Sequence, residues 1–250
     1  MLNPFIQCMI ESRKNNIQME EEDVNNLIGL SIEQAYDIQR IIISNIGLNV
    51  CGWKLGGTNI KTRDIFKVEE LYWGPVYEGA ISNDPSQIDL NCGEVEIAFK
   101  IKNDISKSPS IIDSSYLYDY IDSVALAIEY PWSVFKSFGK ASIIALIADC
   151  CASGQCLISE EIPFEEFDNK VNVSVEVDGF IVESGATDLL VDDLFVILCD
   201  FITNAKSKGF ILEAGQWIFT GGLTSCRTYT QGSVVNITSN HLPGLSFLMT

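Results

Sequence analysis

The sequence has one histidine, His241, and no Cys-x-x-Cys pair among its eight cysteines. Together these shortages exclude the usual zinc arrays, which need Cys or His ligands at short fixed spacings. The scattered cysteines read as reduced, mostly buried thiols. A His–acid pair for activating water is also hard to build, because His241 stands in the Asn240-His241-Leu242-Pro243 turn and reads as a surface loop residue. Positive charge is scarce, with 16 Lys and Arg against 34 Asp and Glu and a net charge of −18. That balance argues against nucleic acid or an anionic membrane as partner, and it admits an anionic substrate only where a cation supplies local positive charge. Long apolar runs are missing too. Ile143–Ala148 and Leu194–Cys199 are the longest, far short of the roughly 20 residues of a membrane span. The N-terminal stretch lacks the pattern of a secretory signal, so the expectation is a cytoplasmic protein.

What is present describes a globular chain. With 250 residues, 47% of them hydrophobic, it can bury a sizeable core. The spacing of Ser31 and Gln34 predicts a capping box opening a helix that carries Ala35, Ile38, Ile42 and Ile46 and stops at Gly47. Strands are expected at 50–55, 94–101, 123–129, 155–158, 171–177, 216–220, 233–238 and 245–249. Asp178-Gly179 reads as a tight hairpin turn. Residues 188–208 read as one long helix, apolar nearly all round and therefore buried. Strands and helices do not alternate regularly, so the class is α+β. A helical N-terminal region, 1–80, precedes a strand-rich region, 81–250, the two forming one compact unit.

Three acids and one lysine stand out. Glu94 and Glu96 share a strand face, about 7 Å apart, opposite the apolar Val95, Ile97 and Phe99. Glu129 ends an otherwise apolar strand, where a carboxylate needs a partner or water. The three acids suit a hard divalent cation such as Mg²⁺ or Mn²⁺, and equally a solvated face. Lys54 is a lone cation in apolar surroundings. It reads either as a proton shuttle with a lowered pKa or as a side chain snorkelling to the surface.

Taken in order, SIEQAYDIQ, CGWKLGGTN, CGEVEIAF, ALAIEYP, IADCCASGQ, LEAGQWIFTGGL and GSVVNI resemble the 2-keto-4-pentenoate hydratase and 4-oxalocrotonate decarboxylase family from about Leu30 to the C-terminus. The resemblance implies a fumarylacetoacetate hydrolase-like mixed β-sheet roll. It implies Glu94, Glu96 and Glu129 as ligands of Mg²⁺ or Mn²⁺, Lys54 as the proton donor or acceptor, and Glu78 as a carboxylate that handles protons or water. Leu55, Ser153, Gln155 and Thr220 are implied to face the substrate, a small 2-oxo or 2-hydroxydienoate acid. A hydratase is expected first. A 4-oxalocrotonate-type decarboxylase, or a non-catalytic subunit, is the alternative. A homo-oligomer and a hydratase–decarboxylase complex are further implications. Departures from the pattern cluster around the pocket: Val76-Tyr77-Glu78-Gly79, Asp149-Cys150-Cys151-Ala152-Ser153-Gly154, and Gly222 after Thr220-Gly221.

Overall fold

The computed structural model describes residues 2–88, 92–105, 113–136 and 142–249. Helix α1 (Pro4–Asn15) is capped by Asn3, whose side chain accepts from the Phe5 amide, and α2 (Ile32–Asn45) is opened by the Ser31/Gln34 capping box. Strand β1 (Val50–Gly56) follows, then the short α3 (Ile60–Phe66), β2 (Tyr72–Tyr77) and β3 (Ile81–Ser82). The chain continues through β4 (Cys92–Ile101), α4 (Leu117–Tyr120), β5 (Ile121–Tyr130), α5 (Ile143–Ala148), β6 (Gln155–Ile158) and β7 (Ile162–Pro163). The last third contributes β8 (Asn172–Val177), β9 (Phe180–Ala186), α6 (Leu194–Ser207), β10 (Trp217–Phe219), β11 (Arg227–Thr228), β12 (Val234–Ser239) and β13 (Leu245–Leu248).

The mixed class is as expected. A nine-stranded sheet runs in the order β2-β1-β10-β4-β5-β6-β3, with β7 and β11 attached to β5 and β4. Its two end strands, β2 and β3, are joined by only residues 78–80. A link so short forces the sheet to curl until its ends meet, which makes the roll. β1 and β2, although within the first eighty residues, are strands of this sheet. A second, antiparallel sheet, β13-β12-β8-β9, stands beside it. Its β8–β9 hairpin turns on Asp178 and Gly179, both with positive φ.

Two expectations need correction. The helix predicted at 188–208 begins at Leu194: Asp193 caps it by accepting from the Phe195 amide, and Thr187–Leu189 form a separate 3₁₀ turn. Nor is it apolar all round in place, since Val196, Asp200 and Asn204 form an exposed stripe at i, i+4 spacing. Its buried side, with Leu198 and Phe201, packs on the outer face of the roll against Trp53 and Trp73. The thiol expectation also fails for one pair. Cys92 and Cys226 lie where β4 meets β11 and are joined as a disulfide, while Cys8, Cys51, Cys150, Cys151, Cys156 and Cys199 are free. Among the described residues no helix is long and apolar enough to cross a membrane.

Candidate active site inside the roll

Strand alternation sorts the roll into two environments. On β4, Val95, Ile97 and Phe99 face outward into the main core and are fully buried. Glu94, Glu96 and Ala98 face inward. The register extends this inner face across neighbouring strands, pairing Ala98 with Phe219 and Ala125, Glu96 with Ala127, and Glu94 with Glu129. Lys54 joins it from β1, level with Phe219 on β10 and Gly74 on β2. Small residues keep the middle of the interior narrow-walled, and the charged groups collect at one end.

The four charged residues meet there. Lys54 Nζ lies 2.8 Å from Glu129 Oε2 in an ion pair whose carboxylate is fully buried. The other oxygen of Glu129 accepts from the Gly154 amide at 3.2 Å. Glu96 is fully buried, and its Oε2 accepts from the Gly221 amide at 3.0 Å, while Oε1 has no partner. Glu94, half-buried, stands directly across from Glu129, and like charges so placed repel unless something positive lies between them. Burial pushes the Glu96 carboxyl well above the usual range, and Glu129 adds to that more than Lys54 offsets it. Burial lowers the pKa of Lys54, but Glu129, Glu94 and Glu96 outweigh it, so the net shift is upward and the group is an ammonium. Neither reading of Lys54 as a lone cation holds: it is buried, not snorkelling to the surface, and neighbouring carboxylates raise its pKa where a lowering was one alternative.

The turn after β10 closes this end. Thr220 is fully buried; its amide donates to the Ile97 carbonyl and its hydroxyl accepts from the Ile97 amide, zipping the turn to β4. Gly221 has φ +84°, and a Cβ there would lie 2.5 Å from Thr58 Oγ1. At Gly222, one of the departures noted from the sequence, a Cβ would lie 2.8 Å from Glu94 Oε2.

Not every expected residue is brought here. Leu55 lies in the main core, on the face of β1 opposite Lys54. Glu78 is exposed and accepts from Asn49 Nδ2. It is four residues along β2 from Gly74, the partner of Lys54, or roughly 13 Å of strand. With Ser153, Gly154 and Gln155 it lines a cavity of about 580 Å³ between the end of α1 and the β2–β3 turn. The Ser153 hydroxyl donates to the Pro75 carbonyl. His241 sits at the surface beside Asp168, at 3.6 Å. The sequence reading missed Arg13, which joins Asp149 and Gly154, both within the motif noted from the sequence, in shaping the wall behind Glu129. A buried arginine in a short N-terminal helix was the available signal only in retrospect.

As test of fit, the donor set suits a hard divalent cation: three carboxylates, one with a buried oxygen that nothing satisfies, against a single ammonium. As arranged, both oxygens of Glu129 already have partners, and among the described residues no three Asp, Glu, His or Cys side chains converge as a ready ligand set.

No protein-family model matches the sequence, and no curated protein does. Solved structures do match. Against 4-oxalocrotonate decarboxylase from Pseudomonas putida G7, complexed with magnesium and adipate, the TM-score is 0.83 at 21% identity, over 98% of this chain and 96% of that one. The chain has a fumarylacetoacetate hydrolase-like fold. Fumarylacetoacetate hydrolase from Exiguobacterium antarcticum matches at TM-score 0.56 and 16% identity, covering 81% of this chain and 76% of that one. 5-Carboxymethyl-2-hydroxymuconate delta-isomerase from Mycobacterium smegmatis matches at 0.56 and 16%, covering 81% and 80%. The fold likeness to the decarboxylase takes in the N-terminal helices as well as the roll.

Proposed function

We propose that this chain is a divalent-metal-dependent lyase acting on a small, conjugated 2-oxo acid through its enolate. The observation that carries the reading is the buried Lys54–Glu129 pair standing beside Glu96, whose free oxygen has no partner. Glu94, Glu96 and Glu129 would hold Mg²⁺ or Mn²⁺. Bound there, the cation supplies electrophilic stabilisation for negative charge developing on the substrate's 2-oxo oxygen. Lys54 places an ammonium at the same end of the interior, where it draws in a carboxylate and delivers a proton. Phe219 and Trp217 on the inner face keep water from the conjugated tail.

Two reactions share that enolate. Decarboxylation of a vinylogous β-keto acid breaks the bond to the terminal carboxylate, releases CO₂, and sends the electron pair through the double bond to the 2-oxo group. Protonation then gives the dienol. It requires no water-activating base, and Glu78, the residue expected to handle water, is exposed and roughly 13 Å of strand from Gly74, the partner of Lys54. The whole-chain likeness to a 4-oxalocrotonate decarboxylase supports the same reaction. Hydration of 2-hydroxypenta-2,4-dienoate, the reaction expected first from the sequence resemblance, is the second reading. A homo-oligomer, alone or in a hydratase–decarboxylase complex, belongs to the same proposal.

The test supplies 4-oxalocrotonate and, separately, 2-hydroxypenta-2,4-dienoate to the purified protein with Mg²⁺ or Mn²⁺, then with EDTA. Metal-dependent CO₂ release from the first, lost in Lys54→Met, is the expected result. Consumption of the second alone would select hydration. Turnover of neither with any divalent metal would overturn the lyase reading.

A further inference from the structure

Behind Glu129 lies a segment of unusual backbone. Cys150, Cys151 and Ala152 are three consecutive residues with φ between 51° and 55°, a full left-handed turn without a glycine in it. Each such residue costs roughly 1–2 kcal/mol, so the turn persists only because its surroundings over-determine it. The chief restraint arrives from far away in sequence. Arg13, on α1 and buried, donates through Nη2 to the Asp149 carboxylate at 2.7 Å and to the Asp149 carbonyl at 2.8 Å. Through Nη1 it donates to the Ser153 carbonyl at 2.9 Å. One planar fork therefore clamps both ends of the turn. Asp149 is held in its place by Ser133 Oγ at 2.6 Å and the Val134 amide at 3.1 Å. On the roll side the turn presses against β2, where a Cβ on Gly74 would lie 2.1 Å from the Cys150 carbonyl oxygen.

We infer that Arg13 is a positioning residue for the site: by clamping the turn 149–153 it aims the Gly154 amide at Glu129, and so fixes the carboxylate that pairs with Lys54. For stability alone the arrangement is poorly chosen. A buried ion pair adds little net stability over apolar residues of similar volume, and the left-handed turn subtracts from it. Beside the contacts that seat the turn on its neighbours, from the Trp132 amide to the Ala152 carbonyl and from the Ser153 hydroxyl to the Pro75 carbonyl, it presents the Gly154 amide to a carboxylate inside the roll. Groups that orient a metal ligand in this way change affinity by about 10–100-fold when altered. As regards the cation, the inference rests on the reading proposed above; as regards the orientation of Glu129, it does not.

Two variants and three readouts test it. Arg13→Lys keeps the charge and loses the fork. The double variant Arg13→Met, Asp149→Leu replaces the pair with apolar side chains and removes the stability penalty of a half-broken pair. Thermal unfolding, Mn²⁺ affinity by calorimetry, and hydrogen exchange at the Gly154 amide are measured for both. Expected are weaker Mn²⁺ binding, by about 10–100-fold, and faster Gly154 exchange in both, with the double variant melting below the native protein because the Ser133 hydroxyl and the Val134 amide lose their acceptor. A double variant that binds Mn²⁺ and protects Gly154 as the native protein does would reduce Arg13 to a stabilising residue and overturn the inference. Should the native protein bind no Mn²⁺, the metal reading falls, and exchange at Gly154 alone decides: unchanged exchange in Arg13→Lys would overturn it. If Arg13→Lys does not fold, the double variant decides; failure of both to fold would also count against it.

Discussion

The two faces of β4 differ as much as a membrane interior differs from an enzyme cleft, although they alternate along one strand. Outward, Val95, Ile97 and Phe99 are fully buried among apolar neighbours, with Phe99 edge-on to Phe164 and Phe167. Inward, Glu96 is equally buried, yet one of its oxygens has no partner, and Glu94 confronts Glu129. Glu96 matches its outward neighbours in burial but not in satisfaction. A sequence selected only for folding would place apolar residues on both faces, because an unpaired buried carboxylate is costly. The inner face therefore marks where the molecule departs from what its stability asks for, and such departures are expected at functional sites.

The largest effect should come from removing the inner cation. Lys54→Met leaves Glu129 buried without its ion-pair partner, and breaking a buried pair in this way costs about 3–5 kcal/mol. Urea unfolding should show that loss in metal-free protein, with added Mn²⁺ restoring part of it; a variant as stable as the native protein would mean that the pair is not formed. Phe99→Ala breaks the outer face by a similar amount, about 3–5 kcal/mol. Its folded fraction should bind Mn²⁺ as tightly as before, and a parallel fall in affinity would show that the faces are not independent. Glu96→Gln is subtler. It removes a charge that has no complete set of partners, so melting without metal should not fall. In native protein, Mn²⁺ at a hundred times its dissociation constant should add about 2.7 kcal/mol of stability, and in Glu96→Gln that increment should disappear.

Much of the outer face was legible in the sequence, because alternation and capping are local. Val95, Ile97 and Phe99 announce their side of β4, Ser31 and Gln34 announce α2, and Asp178-Gly179 announces its hairpin. β2 was not legible: Gly74 and Pro75 interrupt it, and proline is admitted because the strand lies at the end of the sheet order. The start of α6 was misplaced because three aspartates compete as caps, and only Asp193 is followed directly by the helix. The inner face was half legible. Each acid could be named, but the contact of Lys54 with Glu129 spans 75 residues and depends on the order in which β1, β10, β4 and β5 pair. Glu78 could be named as well, but a motif position carried no information on whether its side chain would be exposed.

Backbone strain is distributed as unevenly as charge, and a matched pair of substitutions measures it. Ala145 and Ala152 are both fully buried alanines. Ala145 lies in α5, with ordinary right-handed geometry, whereas Ala152 has φ +51° in the turn behind Glu129. Replacing either with glycine loses one buried methyl, about 0.8 kcal/mol, and adds freedom to the unfolded chain, roughly 0.5–1 kcal/mol. At Ala145 nothing offsets these losses, so destabilisation should reach about 1.5 kcal/mol. At Ala152 relief of the left-handed conformation returns roughly 1–2 kcal/mol, and the substitution should come out near neutral. The difference between the two urea midpoints, scaled by a common m-value, then reads the strain directly. Equal losses at both positions would mean that the turn is unstrained, and the contrast between a stability-built outside and a function-built inside would have to rest on the charges alone.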